Sequence, residues 1–122
     1  MGGRKLMREL EVIMGEDKLN SVWAVDEKEF NANHEYSIFR NDWEIERIQF
    51  QKGPRKEKNS IAGVTESDLL EIVRDRLTDF QNSEFACKEN ENALANVNMA
   101  LDWLYERVLA RKERGVLGVN KK

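Results

Sequence analysis

The stretch from Thr65 to Gly115 constrains the fold more than any other part of the chain, because its apolar residues recur at helical spacing with only one short break. Thr65 opens the sequence T-E-S-D. Its hydroxyl can cap a helix while Asp68 reaches back to the cap residue's N–H, and Leu69, Ile72, Val73, Leu77 and Phe80 follow on one face. This predicts a helix from about 66 to 81. Gln81 to Glu84 is a polar break, and Ser83 is the expected cap of a second, longer helix that runs to about 114 and stops at Gly115. Along it, Asn90, Leu94, Val97, Leu101, Leu104, Val108 and Arg111 alternate steps of four and three, the spacing of a seam packed against another helix. So short a link makes the two helices fold back antiparallel as a hairpin.

The preceding region has a different character. Within 21–52, the segments SVWAVD, HEYSIFR and EIERIQFQ are rich in β-branched and aromatic residues, with turn residues at Asn31 to Asn33 and at Asn41-Asp42. They predict a three-stranded antiparallel meander. Residues 53–63 form an exposed basic connector: Pro54, the only proline, follows Gly53, and four basic residues fall within the seven positions from Lys52 to Lys58. Residues 4–14 carry Leu6, Met7, Leu10, Ile13 and Met14 near helical spacing, which predicts a helix, with a short strand over Leu10 to Met14 as the alternative. The whole is a single α+β domain over 1–122: an N-terminal helix or strand over 1–20, the meander, the connector and the helical hairpin over 64–118.

Composition narrows the function. With 122 residues of which 40% are apolar, the chain can build a modest core that self-association would enlarge. A net charge near −3 argues against general affinity for nucleic acid, so any bound anion should be small and met by a local basic cluster. Cys87 and His34 stand alone in their residue types, which rules out a disulfide framework, leaves zinc without its usual ligands and fits a reducing cytoplasm. Neither a signal-peptide core nor a membrane span is visible at the N-terminus. No arrangement of a hydrolase triad, glycine-rich phosphate loop, HExxH or CxxC exists, so no catalytic residue, metal or cofactor is expected.

Four features suit binding instead. Arg107 and Arg111 share a helical face near a helix C-terminus, where cations offset the dipole; Arg111 falls on the seam, and an inward guanidinium calls for an anion such as phosphate. Asn90 and Asn92 offer amides that can read an adenine edge, although a seam asparagine also serves as a register device. Phe80 and Phe85 flank the hairpin turn, as core caps or as rings on which a purine stacks. Arg55 and Lys56 lie in the connector, a solvated loop unless it folds over the same site. Trp103 reads as buried packing or an oligomer contact, Cys87 as packing and His34 as a satisfied structural histidine.

The segments FQKGPRKE (50–57), VTESDLLEIVRDRLTDFQ (64–81), FACKEN (85–90), ALDWL (100–104) and RGVLG (114–118) together resemble the hairpin domain shared by two groups of phage anti-defence proteins, the Thoeris anti-defence sponges of the first described type and the anti-CBASS sponges. The resemblance implies a protein that holds glycocyclic ADP-ribose immune signals without cleaving them, in the cytoplasm of an infected bacterium. Cyclic di- or trinucleotides are the alternative or second ligand. It implies symmetric homo-oligomers, dimers assembling to a hexamer, with pockets at subunit boundaries and with neither nucleic acid nor membrane as partner. By the same resemblance Arg55, Phe80 and Asn90 bind the ADP-ribose derivative and Arg107 and Arg111 bind cyclic-nucleotide phosphates; Phe85 and Asn92 join the first set on their own chemistry, Asn92 standing where the family has an aliphatic residue. Sequestration demands nanomolar affinity or better, on the order of −12 kcal/mol.

Overall fold

The computed structural model describes residues 7–122. They form an α+β fold: a four-stranded antiparallel sheet, ordered β1-β2-β3-β4, followed by two helices. The strands are β1 (Arg8–Glu9), β2 (Ser21–Ala24), β3 (Glu35–Arg40) and β4 (Trp43–Gln49). The helices are α1 (Glu66–Gln81) and α2 (Lys88–Glu113). The chain divides into two compact units between Val64 and Thr65.

In the first unit the expected meander is β2, β3 and β4. Val22 pairs with Ile38, and Tyr36 lies between Ala24 and Ile48, so these apolar side chains share one sheet face, with Glu46 opposite Ile38. Asn41 takes φ +55° in the two-residue turn between Arg40 and Trp43, a backbone state asparagine tolerates. A fourth strand is added by β1, pairing Arg8 with Ala24. The helix expected over 4–14 is therefore corrected where it can be seen, residues 4–6 lying outside the described residues. The backbone of Arg8 to Leu10 bonds to the sheet, Leu10 N–H donating to the Val22 carbonyl at 2.9 Å, so the strand lies before the Leu10 to Met14 stretch offered as the alternative, and apolar spacing alone does not outcompete a ready strand edge.

The link from β2 to β3 is built on polar side chains. Asp26 accepts hydrogen bonds from Asn33 Nδ2 and His34 N, Asn33 Oδ1 accepts from Arg8 Nη2 at 2.9 Å, and His34 Nε2 lies 2.6 Å from the Glu29 carbonyl. His34 is buried just ahead of β3 with that partner, a satisfied structural residue. Burial pushes the Asp26 carboxyl up, but hydrogen bonds from Asn33 and from the backbone of His34 and Glu35 outweigh it and hold it below the ordinary carboxylate range. The connector returns to the sheet: Lys52 and Ile61 exchange backbone hydrogen bonds at 2.8 Å, and Val64 N–H donates to the Gln49 carbonyl at 2.9 Å. Gly63 is required there, because a Cβ would collide with the backbone of Gln49 and Phe50.

In the second unit α1 begins with the expected reciprocal cap: Asp68 N–H donates to Thr65 Oγ1 at 3.2 Å, and Thr65 N–H to Asp68 Oδ2 at 2.9 Å. The start of α2 is later than expected. Ser83 Oγ is engaged in the turn, donating to the Phe80 carbonyl and accepting from Phe85 N–H, so Cys87 becomes the N-cap, its Sγ accepting from Asn90 N–H at 3.4 Å. Cys87 is thus an exposed cap, not a packed side chain. The helices pack antiparallel through the half-buried seam residues Leu94, Val97, Leu101 and Leu104, with Arg74 Nε donating to Asn98 Oδ1 across them at 2.9 Å. Neither helix contains a buried residue.

Candidate functional site

At the closed end of the hairpin, the second half of α1, the connecting turn and the first turn of α2 surround an open hollow of about 490 Å³. Its lining is Val73, Arg76, Leu77, Phe80, Phe85 and Asn90. The placement follows from local structure. Val73, Arg76, Leu77 and Phe80 are three and four apart, one face of α1, while the Ser83-centred turn carries Phe85 over and the Cys87 cap sets Asn90 in the first turn of α2. Phe80 and Phe85 are 42% and 68% exposed, so both rings are open to a ligand and neither is a core cap. Asn90 is half-buried, and its amide has no hydrogen-bond partner among the described residues.

The hollow therefore joins two aromatic rings, an uncommitted amide, an aliphatic floor and one cation. That set suits a planar heteroaromatic ring bearing an anionic group: the rings stack, the amide pairs with a base edge and the guanidinium meets the charge. Arg76 is the residue that reading the sequence missed. Its Cζ lies 5.6 Å from the Phe80 ring centroid, and the signal was present, a cation four residues before an aromatic on the same helical face.

The other expected residues fall elsewhere. Asn92 lies two positions beyond Asn90, about 200° round the helix, and is not among those lining the hollow. It is exposed, with its carbonyl accepting from Asn96 Nδ2. Arg55 is exposed in the connector turn closed by Glu57 N–H and the Pro54 carbonyl, within the first unit. Arg107 is exposed near the end of α2 and no hydrogen bond or ion pair holds it among the described residues. Arg111 does point inward, but its need for an acceptor is met by backbone: Nη2 donates to the carbonyls of Val116 and Val119, each at 2.9 Å. It pins the tail that follows the helix. Trp103 is 71% exposed, so it is not packed within this chain.

A second hollow, of about 550 Å³, opens nearer the free end of the hairpin between Arg74, Asn98, Asp102 and Tyr105. Arg74 is already committed there, to Glu71 at 3.3 Å and to Asn98. With Asp102 also on its wall, this hollow has no spare positive charge for an anion. Among the described residues no group of histidine, cysteine or carboxylate side chains is placed to hold a metal. No helix of the described residues is long and apolar enough to cross a membrane.

Two comparisons bear on identity. Residues 44–109, more than half of the chain, match the family model described as "Acb2/Tad1, hairpin domain". A curated relative, "Thoeris anti-defense 1" of Bacillus phage SBSphiJ7, is 44% identical over 75 residues, which span 62% of this chain and 52% of the relative. The matched stretch thus covers about half the length of that relative. The family match takes in β4 after Trp43, the connector, α1, the hollow and α2 as far as Leu109, and it agrees with the motif set read from the residues. The chain belongs to the Acb2/Tad1 hairpin-domain family.

Proposed function

We propose that this chain is a phage anti-defence protein that sequesters glycocyclic ADP-ribose signals of the bacterial Thoeris system, in the cytoplasm of the infected host, and returns them chemically unchanged. The observation that carries the reading is the gathering of Phe80, Phe85 and Asn90 around one open hollow, with an arginine beside them. Adenine takes the aromatic faces, its edge pairs with the Asn90 amide, and the diphosphate takes guanidinium groups. The similarity to a relative named for Thoeris anti-defence supports the choice of signal. The assignment of Arg55 to the same ligand rests on its Gly53-Pro54-Arg55 motif, not on a placement within this chain.

The working form is a homo-oligomer, dimers assembled to a hexamer. What supports this is how little one chain covers: the helices bury no residue, and Ile72, Met99, Trp103 and Tyr105 are all more than half exposed. Titration of glycocyclic ADP-ribose by calorimetry tests the site. Phe80→Ala and Asn90→Ala should each weaken binding at least tenfold while Asn92→Ala binds like the parent; full affinity in both of the first two would overturn the assignment.

A second ligand, a cyclic oligonucleotide, is favoured by the C-terminal arginines. Arg107 is uncommitted and exposed, and Arg111 spends only Nη2 on the tail, so both retain donors for phosphate. Loss of cyclic-nucleotide binding in the double variant Arg107→Ala, Arg111→Ala, with glycocyclic ADP-ribose binding intact, is the expected result; binding of both ligands unchanged would remove the second site.

A further inference from the structure

Resting on the reading of the hairpin hollow as the nucleotide site, we infer that Arg76 is the residue there that meets the ligand's phosphates, and that the Phe80 ring holds its guanidinium in reserve until the ligand arrives. Three observations converge on it. Among the described residues lining the hollow, Arg76 alone is charged. Its guanidinium lies over the ring, 5.6 Å from the centroid, with no hydrogen bond or ion pair to the described residues. Of the other arginines, Arg47 is committed to Glu35 and Glu44 and Arg74 to Glu71 and Asn98, while Arg55, Arg107 and Arg111 do not line the hollow.

The chemistry of the exchange follows. A guanidinium is planar and weakly hydrated, so an aromatic face holds it, but loosely when both are open to water. A purine that stacks on the same face of Phe80 displaces it. The long side chain then swings aside while its Cα stays on the wall of the hollow, which leaves its two-pronged donors within reach of a phosphate carried by that purine. A weak contact with the ring is replaced by charge-assisted hydrogen bonds, the stronger kind. The site thereby favours phosphate-bearing nucleotides over bare nucleosides, since a nucleoside displaces the guanidinium and offers it nothing in return.

The test is calorimetric titration of the full-length protein with glycocyclic ADP-ribose over a series of NaCl concentrations, for the parent and for Arg76→Gln, Arg76→Lys and Phe80→Ala. Removing one charge-assisted contact should raise Kd roughly ten- to a hundredfold in Arg76→Gln. The rise of Kd with salt should flatten in that variant, because screening acts on the charge removed. Arg76→Lys should fall between, keeping charge without the fork, and the exposed substitution should leave Tm unchanged. An Arg76→Gln protein with Kd within twofold of the parent and the same salt dependence overturns the inference. If it does so while Phe80→Ala abolishes binding, the hollow remains the site and Arg76 has no part in it; if Phe80→Ala and Asn90→Ala also bind like the parent, the hollow is not the site and both readings fall.

Discussion

Asp26 shows what single residues do in a chain with so little buried surface. It accepts from the Asn33 side chain and the His34 backbone, and so fixes the entry into β3. Asp26→Ala would leave the buried Asn33 without that partner, and the expected loss is about 1–3 kcal/mol of stability, read from urea unfolding. Because the folded state holds this carboxyl below its ordinary range, its contribution is complete above that range and is lost as the pH falls through and below it. Glu44, held low chiefly by hydrogen bonds from Arg47 and then Ser37, works in the same direction and window. Acid unfolding of Asp26→Ala should accordingly be shallower than that of the parent between about pH 5 and 2; parallel acid profiles would show that the carboxylate contributes nothing. Some residue roles were legible beforehand. The Thr65–Asp68 cap is a local rule satisfied within four residues. That Arg111 pointed inward and needed an acceptor was also readable from its register, but the acceptors are carbonyls of the tail, which no side-chain pattern records.

At the scale of elements, periodicity carried the helices and failed where pairing is non-local. The seam from Asn90 to Arg111 and the stop at Gly115, which takes φ +71°, were visible because both depend on neighbours a turn away. Two-residue β1 carries no period of its own, and exists because Ala24 and Trp23 offer an edge. The late start of α2 was hidden by competition, Ser83 satisfying Phe85 N–H within the turn before it could cap a helix. This delay is what leaves Phe85 in the turn and open to the hollow. Two substitutions test the account of these elements. Thr65→Ala should cost about 0.5–2 kcal/mol through loss of the α1 cap, measured by thermal unfolding. Gly63→Ala forces a Cβ into the backbone of Gln49 and Phe50, and should cost about 1–3 kcal/mol or displace the connector, visible in amide exchange around Val64.

For the whole molecule, the decisive property is unfinished burial. Among the described residues only Ala24 of the hydrophobic residues is buried, and the outer side of α2 leaves Met99 and Trp103 in water, one turn apart. The aromatic character of that side was readable in the sequence; that one chain would leave it uncovered was not, because burial depends on which neighbours the fold supplies. Trp103→Glu should shift the light-scattering mass from a multiple of 14.3 kDa toward the single chain; an unchanged mass would place the interface elsewhere. Under the proposed function the hollow is a trap. It gathers stacking, amide and guanidinium chemistry, with aliphatic and aromatic side chains as the rest of its wall. The most direct test is to saturate the protein with glycocyclic ADP-ribose, record the thermal shift, then heat the complex and identify by mass spectrometry and chromatography what is released. The account predicts stabilisation of about 4 kcal/mol at a thousandfold excess over Kd, with the ligand recovered intact. Absence of any shift, or recovery of a hydrolysed product, would contradict it.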